Sequence, residues 1–330
     1  MDMKEYNLII YLFQFLNYSC TTEANISLKH ITMYCLFSSL SMLTVFLNLL
    51  VIISISHFKQ LQTPTNMLIH SLAVADLLVG AVVIPFEAVK LIDVCWDVGK
   101  NFCVVFQLIV YSIILSSLGH LVLIAIDRYI AVCEPMLYHQ KVTVGKTVLC
   151  ICIVWTGAAS YNIILICYNN QGQFSNGQCV SDITLECGVF DLIVTFIVPC
   201  SVIISLYLKI FKVATGQVRA IKSGFAVATM GTYNRRVGKT SQYKAANTLS
   251  IVVVVYLLCW IPYYICLLVN RNGESNAVTF FTWILYCNSS VNPLIYALFY
   301  GWFKKSARHI LTLNIFKQSS SYYNLMSDKS

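Results

Sequence analysis

Seven apolar stretches recur along this chain of 330 residues, each near the 20 or so residues that carry a helix across a bilayer. In hydrocarbon a backbone has no water to bond, so a spanning segment must satisfy its own N–H and C=O groups, and helices do so within one segment. The stretches run near Ile31–Ser56, Asn66–Val89, Val104–Val132, Thr147–Cys167, Val189–Phe211, Ala245–Val269 and Val278–Tyr300. The charge content fits: 11% of residues are charged and mean hydropathy is +0.72, whereas a soluble domain carries about 25% charged residues. The expected fold is an all-α membrane protein, a seven-transmembrane helix bundle. Residues 1–30 form an N-terminal tail, 31–300 the transmembrane domain, and 301–330 an amphipathic helix with a tail. In that last part, Lys304, Lys305 and Arg308 oppose Phe303, Ile310, Leu311 and Leu313 over Trp302–Phe316, the pattern of a short interfacial eighth helix.

Basic residues accumulate on cytoplasmic loops. One set of loops holds Lys59, Lys141, Lys146, Lys209, Lys212, Arg219, Lys222, Arg235, Arg236, Lys239 and Lys244, and Lys304, Lys305 and Arg308 follow the last span. The other set holds fewer (Lys29, Lys90, Lys100, Arg271) and most of the acids. The N-terminus is therefore expected outside and the C-terminus inside, in a multi-pass plasma-membrane protein. This asymmetry accounts for the net charge of +8 without a nucleic-acid partner. The run Leu8–Leu16 lacks a small-residue cleavage site and is expected to remain as an uncleaved tail. Asn17-Tyr18-Ser19 and Asn25-Ile26-Ser27 are glycosylation sequons on the outer segment.

Most of the fourteen cysteines fall inside spans, where a thiol behaves as a small apolar group. Cys20, Cys95, Cys103, Cys179 and Cys187 map to the outer face. The six histidines have no metal-ligand spacing, and neither a phosphate-binding glycine loop nor a nucleophile elbow is present. The chain is read as not an enzyme. It also lacks the internal repeats and paired broken helices of transporters.

The last span contains Asn288-Ser289-Ser290-Val291-Asn292-Pro293-Leu294-Ile295-Tyr296 and ends in Tyr300-Gly301-Trp302-Phe303. Proline has no N–H, so Pro293 frees a carbonyl and makes a hinge. This run resembles the helix-7 fingerprint of the trace amine-associated receptors, rhodopsin-like (class A) G-protein-coupled receptors. Asn-Pro-x-x-Tyr carries the superfamily likeness; the flanking Asn288-Ser289 and Tyr300-x-Trp302-Phe303 carry the family likeness. The resemblance extends from about Thr32 to Phe316, with departures at Tyr256, where phenylalanine is usual, and Leu47, where glycine is usual.

The resemblance implies roles residue by residue. Asp127-Arg128-Tyr129 is similar to the G-protein coupling switch, with Tyr207, Asn292, Pro293 and Tyr296 joining its rearrangement. Read alone, the triplet also fits an interfacial charge pair. Cys259-Trp260-Ile261-Pro262 is similar to the kink-and-toggle motif of helix six. Asp76, Ser117, Asn288 and Asn292, with Asn48 nearby, are similar to an allosteric sodium site. A buried hydrogen-bond network without an ion is the other reading, because any acid at membrane depth needs an account. A Cys103–Cys179 disulfide is implied, and more weakly Cys20–Cys187. No cysteine follows the eighth helix, so the palmitoyl anchor usual in these receptors is not expected.

Ligand chemistry departs from the usual aminergic pattern. Five turns outward of Arg128, where such receptors carry aspartate, stands Val110, which cannot neutralise an ammonium. Span five offers Asp191, eight residues outward of Pro199 and so roughly 12 Å away at 1.5 Å per residue. One branch of the family lacks the helix-3 aspartate and carries one in helix 5. The other reading makes Asp191 a solvated acid near a helix start, if Cys187 and Gly188 begin that helix. Glu87 is a second outer carboxylate, suited either to a dibasic ligand or to a pair with Lys90 along the helix. Tyr111, Trp260, Tyr263, Tyr264, Trp283 and Tyr286 are the expected aromatic lining, since ring faces attract cations; aromatics at span ends also form interfacial belts.

The resemblance thus implies an olfactory receptor for small trace or biogenic amines, coupled to a stimulatory or olfactory-type G protein. The ammonium meets Asp191, and Trp260 and the Asn292-Pro293 hinge relay the shift to Arg128. The same fold recognising a non-amine is the alternative, and a transporter or channel is a more distant one.

Overall fold

The computed structural model describes residues 28–92, 100–168, 174–175, 178–179, 185–223, 250–266, 276–317 and 320–325. Helices occupy all seven expected places. Span one is Leu28–His57. Span two is Pro64–Leu78 continued to Ile92, span three Lys100–Cys133 and span four Val144–Tyr168. Span five runs from Leu185 to Ser223, span six is described over Ser250–Cys266 and span seven is Asn276–Phe299. Among the described residues, five of these helices are long and apolar enough to cross a membrane, and Ser250–Cys266 is a shorter apolar helix.

Local chemistry fixes several boundaries. Thr63 caps span two, its side chain accepting from the Asn66 N–H, and Pro64 takes the first helical position, where a missing N–H costs nothing. Span five begins at Leu185, earlier than Val189, and runs twelve residues past Phe211 to Ser223. Its inner extension carries Lys209, Lys212, Arg219 and Lys222, which lower the hydropathy without interrupting the helix. The eighth helix is Gly301–Leu311, shorter than the expected Trp302–Phe316. It stops before Leu313, which adopts a left-handed φ of 56°.

Two π-helical turns interrupt spans two and five, at Val79–Val83 and Ile193–Ile197. Each lies just ahead of a proline, Pro85 and Pro199. A proline ring clashes with the carbonyl four residues earlier, here Ala81 and Thr195, and a π turn moves that carbonyl aside.

Between spans the contacts are close and polar. A Cβ on Gly80 would lie 2.9 Å from Thr44 Cβ, and Ser41 donates to the Gly80 carbonyl at 2.7 Å. Thr44 and Ser290 hydroxyls meet at 2.5 Å. Spans two, three and four share one network: His120 Nε2 meets Ser71 Oγ at 2.7 Å, and Trp155 Nε1 donates to that oxygen at 3.0 Å. Small residues and side-chain hydrogen bonds of this kind hold helices together where hydrocarbon gives no hydrophobic drive. Leu72, Leu121, Ile124, Ile203 and Tyr296 are buried in the core, while Met42, Leu149, Ile164 and Leu208 face outward. At one end of the bundle, β1 (Phe174–Ser175) and β2 (Gln178–Cys179) pair antiparallel, Phe174 opposite Cys179.

Candidate functional site

Nearest the hairpin end, Asp191 lies in the second turn of its helix, beyond Cys187 and Gly188. It is therefore not at the helix start, which removes the terminal-dipole account of its charge. It is half-buried, and Tyr161 of span four donates its hydroxyl to Asp191 Oδ1 at 2.9 Å. Thr195 donates to the Asp191 backbone carbonyl at 2.7 Å, within the π turn. Tyr264 comes within hydrogen-bonding reach of Thr195 and feels the charge of Asp191.

Tyr263 feels both Glu87 and Asp191, as well as Tyr111 and Tyr264. Tyr286 feels Glu87, Tyr263 and Tyr111. Glu87 of span two and Asp191 of span five thus both lie within electrostatic range of Tyr263. Below it, Trp260 contacts Phe196, Tyr256, Tyr263 and Tyr264, with ring centroids 5.3–6.4 Å apart. Val110 is buried. The Trp283 ring stacks on Phe37 of span one at 3.4 Å and meets Tyr286 edge-on at 5.5 Å. Lys90, the alternative partner of Glu87, has a side chain outside the described residues.

Trp260 and Tyr286 also line a small internal cavity, with about 20 Å³ open to a water's centre. One water needs about 10–15 Å³ by that measure. Asp76, Ser117, Asn288, Ser289 and Asn292 share the lining. Asn292 donates to Asp76 Oδ2 at 2.8 Å, and Ser117 donates to the Ile113 carbonyl at 3.1 Å, leaving its oxygen lone pairs for the cavity. The side-chain oxygens of Asn288 and Asn292 are buried with no hydrogen-bond partner. A buried carboxylate with unpartnered oxygens matches what a hard cation takes, so these residues fit a sodium ion. Asn48 stands aside from this group, its amide donating to Thr44 and Ser289 carbonyls at 2.9 and 3.0 Å.

At the far end, Arg128 and Asp127 form an ion pair at 2.5 Å, with 8% and 3% of their side chains exposed. Arg128 Nε also donates to Asp127 Oδ2 at 2.9 Å. Thr65 donates to that same oxygen at 2.8 Å, and Tyr138 donates to Oδ1 at 2.9 Å. Arg128 further donates to the Thr65 hydroxyl. Tyr129 lies under Lys209, 5.9 Å from ring centroid to Nζ. The Tyr207 and Tyr296 hydroxyls are buried with no partner, and Tyr207 feels the charge of Arg128. Cys103 is disulfide-bonded, and Cys179 lies on β2. Asn17, Asn25, Cys20 and Cys95 lie outside the described residues, so the sequons and the Cys20–Cys187 pairing do too.

The family description "7 transmembrane receptor (rhodopsin family)" matches residues 47–296. "Trace amine-associated receptor 13c" of Danio rerio is 37% identical over 99% of both chains. "Trace amine-associated receptor 6" of Rattus norvegicus is 39% identical over 95% of this chain and 94% of that one, and its Homo sapiens counterpart is 37% identical over 91% of each. The chain belongs to the trace amine-associated receptors. This trace amine-associated receptor is thus a rhodopsin-like G-protein-coupled receptor, a multi-pass membrane protein and not an enzyme.

Sequence reasoning missed Tyr161, Thr65 and Tyr138 in this receptor. Tyr161 gave no signal of its own, because Ser160 and Asn162 flank it on the same helix. The other two lie at the helix ends flanking Asp127, where polar residues are ordinary.

Proposed function

We propose that this receptor recognises a small cationic amine at the hairpin end, with Asp191 as counter-ion and Tyr111, Tyr263, Tyr264, Trp283 and Tyr286 closing around the ligand. The observation that carries this reading is the half-buried Asp191 carboxylate, held by Tyr161 and facing an aromatic cluster, in a receptor where Val110 supplies no charge. The relatives are named for trace amines, which supports the same ligand class. Glu87 as a second ligand contact would suit a dibasic amine.

The signal would pass from Trp260 through the Asp76 cavity, which both Trp260 and Asn292 line, to the Asn292-Pro293 hinge and Tyr296. At rest Asp127 holds Arg128; release of Arg128 toward Tyr207 and Tyr296, with Tyr129 at the same end, opens the site for the G protein. A sodium ion among Asp76, Ser117, Asn288 and Asn292 would stabilise the resting form. The hairpin end is extracellular and the eighth helix cytoplasmic, with Cys103–Cys179 tying the outer loop and glycans on Asn17 and Asn25. The partner is a stimulatory or olfactory-type G protein, and the site of action the plasma membrane of olfactory neurons.

The test is a cyclic AMP reporter screen against mono- and diamines in wild type, Asp191→Ala and Glu87→Gln, at matched surface expression. Removing one member of a desolvated ion pair costs about 3–5 kcal/mol. Asp191 is half-buried, so the low end is expected, about two decades of potency at roughly 1.4 kcal/mol each. Glu87→Gln should weaken diamines selectively. Activation by amines with Asp191→Ala unchanged would remove the anchor, and no response to any amine would transfer the case to a non-amine ligand.

A further inference from the structure

Beyond the eighth helix the chain turns back on itself. Leu313 takes its left-handed turn, uncommon for a residue with a side chain, and Asn314–Phe316 and Ser320–Tyr322 form short 3-10 turns. The returning segment reaches the turn after span one. There His57 Nε2 meets Ser320 Oγ at 2.5 Å, and the Leu325 N–H donates to Gln60 Oε1 at 3.3 Å. Lys59 donates to the Tyr322 hydroxyl and lies 4.4 Å from the centre of its ring. That return gathers cations. Lys317 follows the first 3-10 turn, and His309 feels the charges of both Lys317 and His57.

Two kinds of surface meet here. Lys59, Lys304, Arg308 and Lys317 are exposed, and neither residues 54–75 nor residues 301–326 contain an aspartate or glutamate. Lys59 spends one N–H on Tyr322 and keeps two. Interleaved with these cations are bare apolar side chains: Leu311 is 57% exposed, Leu313 67% and Phe316 83%. Span seven ends at Phe299 and the eighth helix opens at Gly301, so both sets stay close to the end of a membrane-spanning helix. A partner for this surface must bring negative charge and hydrocarbon to one place. A free phosphate supplies only the charge. An acidic phospholipid supplies both, and such lipids concentrate in the cytoplasmic leaflet.

We propose that the turn after span one, the eighth helix and the returning tail form a site for an acidic phospholipid, its headgroup held by Lys59, Arg308 and Lys317 and its acyl layer entered by Leu311, Leu313 and Phe316. The choice of leaflet rests on the cytoplasmic placement of the eighth helix argued above; the site itself does not. Its two halves do different work. The apolar half grips hydrocarbon, which every phospholipid offers, and is indifferent to salt. The basic half discriminates, because a zwitterionic headgroup has no net charge to give it. That half is screened by salt, with a Debye length of about 10 Å at 0.1 M.

The experiment uses the full-length receptor in phosphatidylcholine nanodiscs that contain a photoreactive lipid, with a diazirine in its acyl chain and either a phosphatidylserine or a phosphatidylcholine headgroup. After irradiation and digestion, mass spectrometry counts labelling of the stretch Leu311–Lys317. A basic residue near an anionic surface contributes roughly fivefold, and Lys59 is shared with Tyr322, so phosphatidylserine should label this stretch about tenfold more than phosphatidylcholine. The excess should vanish in Lys59→Gln/Arg308→Gln/Lys317→Gln and shrink as salt rises. Leu313→Ser/Phe316→Ser should lower labelling by both lipids. A melting curve for each variant shows that it remains folded. Equal labelling by the two lipids, or an excess that survives the glutamine substitutions, would overturn the proposal. So would unchanged labelling of the serine variant, or loss of the excess to inorganic phosphate at matched ionic strength, which marks a site for a free anion. Both leaflets of a nanodisc carry the same lipid, so this result is independent of orientation. Protease protection of the tail in intact cells tests orientation separately.

Discussion

Asp191 and Asp127 are the same residue type in the same bundle, yet their surroundings differ in a way that separates two kinds of work. Asp127 is buried and surrounded by donors: two nitrogens of Arg128, the Thr65 hydroxyl and the Tyr138 hydroxyl. Asp191 is half-buried, takes a tyrosine hydroxyl on one oxygen, and faces aromatic rings. A saturated carboxylate holds its neighbours in one arrangement. A carboxylate with spare lone pairs beside ring faces is prepared for a charge that arrives from elsewhere.

The sharpest way to break this contrast is to make the same change at both sites. Asp127→Asn removes the counter-charge of a buried arginine, a loss of about 3–5 kcal/mol for such pairs. It should raise ligand-free nucleotide exchange on a reconstituted G protein, lower the melting temperature and raise agonist affinity modestly, because release of Arg128 is coupled to agonist binding. Asp191→Asn should do the reverse, lowering agonist affinity with little effect on basal exchange or melting. Matching behaviour of the two variants in both assays would erase the distinction.

A smaller effect is expected at Tyr161. Tyr161→Phe deletes one hydrogen bond to a charged group, about 1.5 kcal/mol or roughly tenfold in agonist potency. The loss should vanish when Asp191 is already alanine, because Tyr161 acts through that carboxylate. An additive loss in the double variant would show that Tyr161 meets the ligand by itself.

The smallest effect concerns pH at the eighth helix. Burial holds His309 below its ordinary value of 6.5, opposed by a backbone bond to Asn314 and helped by His57 and Lys317. A histidine with a lowered value favours the neutral form, so the folded receptor keeps this contribution above about pH 6.5 and loses it as pH falls through the lowered value. Melting of the receptor in nanodiscs, followed from about pH 7.5 to 5.5, should fall modestly at the acid end, and less so in His309→Gln. Equal profiles for the two proteins would remove His309 as the source of the effect.

The spans were readable because lipid imposes a length and an apolarity that few other folds imitate, and their ends were missed where that signal fades. Span five continued past Phe211 because Lys209, Lys212 and Arg219 lower hydropathy while remaining good helix formers. The residues that hold Asp127 and Asp191 were hidden for another reason. Thr65, Tyr138 and Tyr161 belong to other helices, and their pairing depends on how helices pack, which a linear pattern does not encode. The tail was least legible of all, since a serine-rich polar segment carries no periodicity to announce that it folds back.

The two π turns have a consequence for how such a pocket can change over time. Each holds one residue more than an ordinary turn, and each residue advances a helix by about 100°. Glu87 lies just beyond Val79–Val83, and Asp191 just outward of Ile193–Ile197. Which way each acid points is therefore a matter of counting as much as of chemistry. Losing a single residue from either turn would swing the acid on its outer side by more than a quarter revolution while every side chain kept its identity. Ligand preference in this receptor is thus open to revision by short insertions and deletions, a route that leaves the alphabet of the pocket intact and alters only its phase.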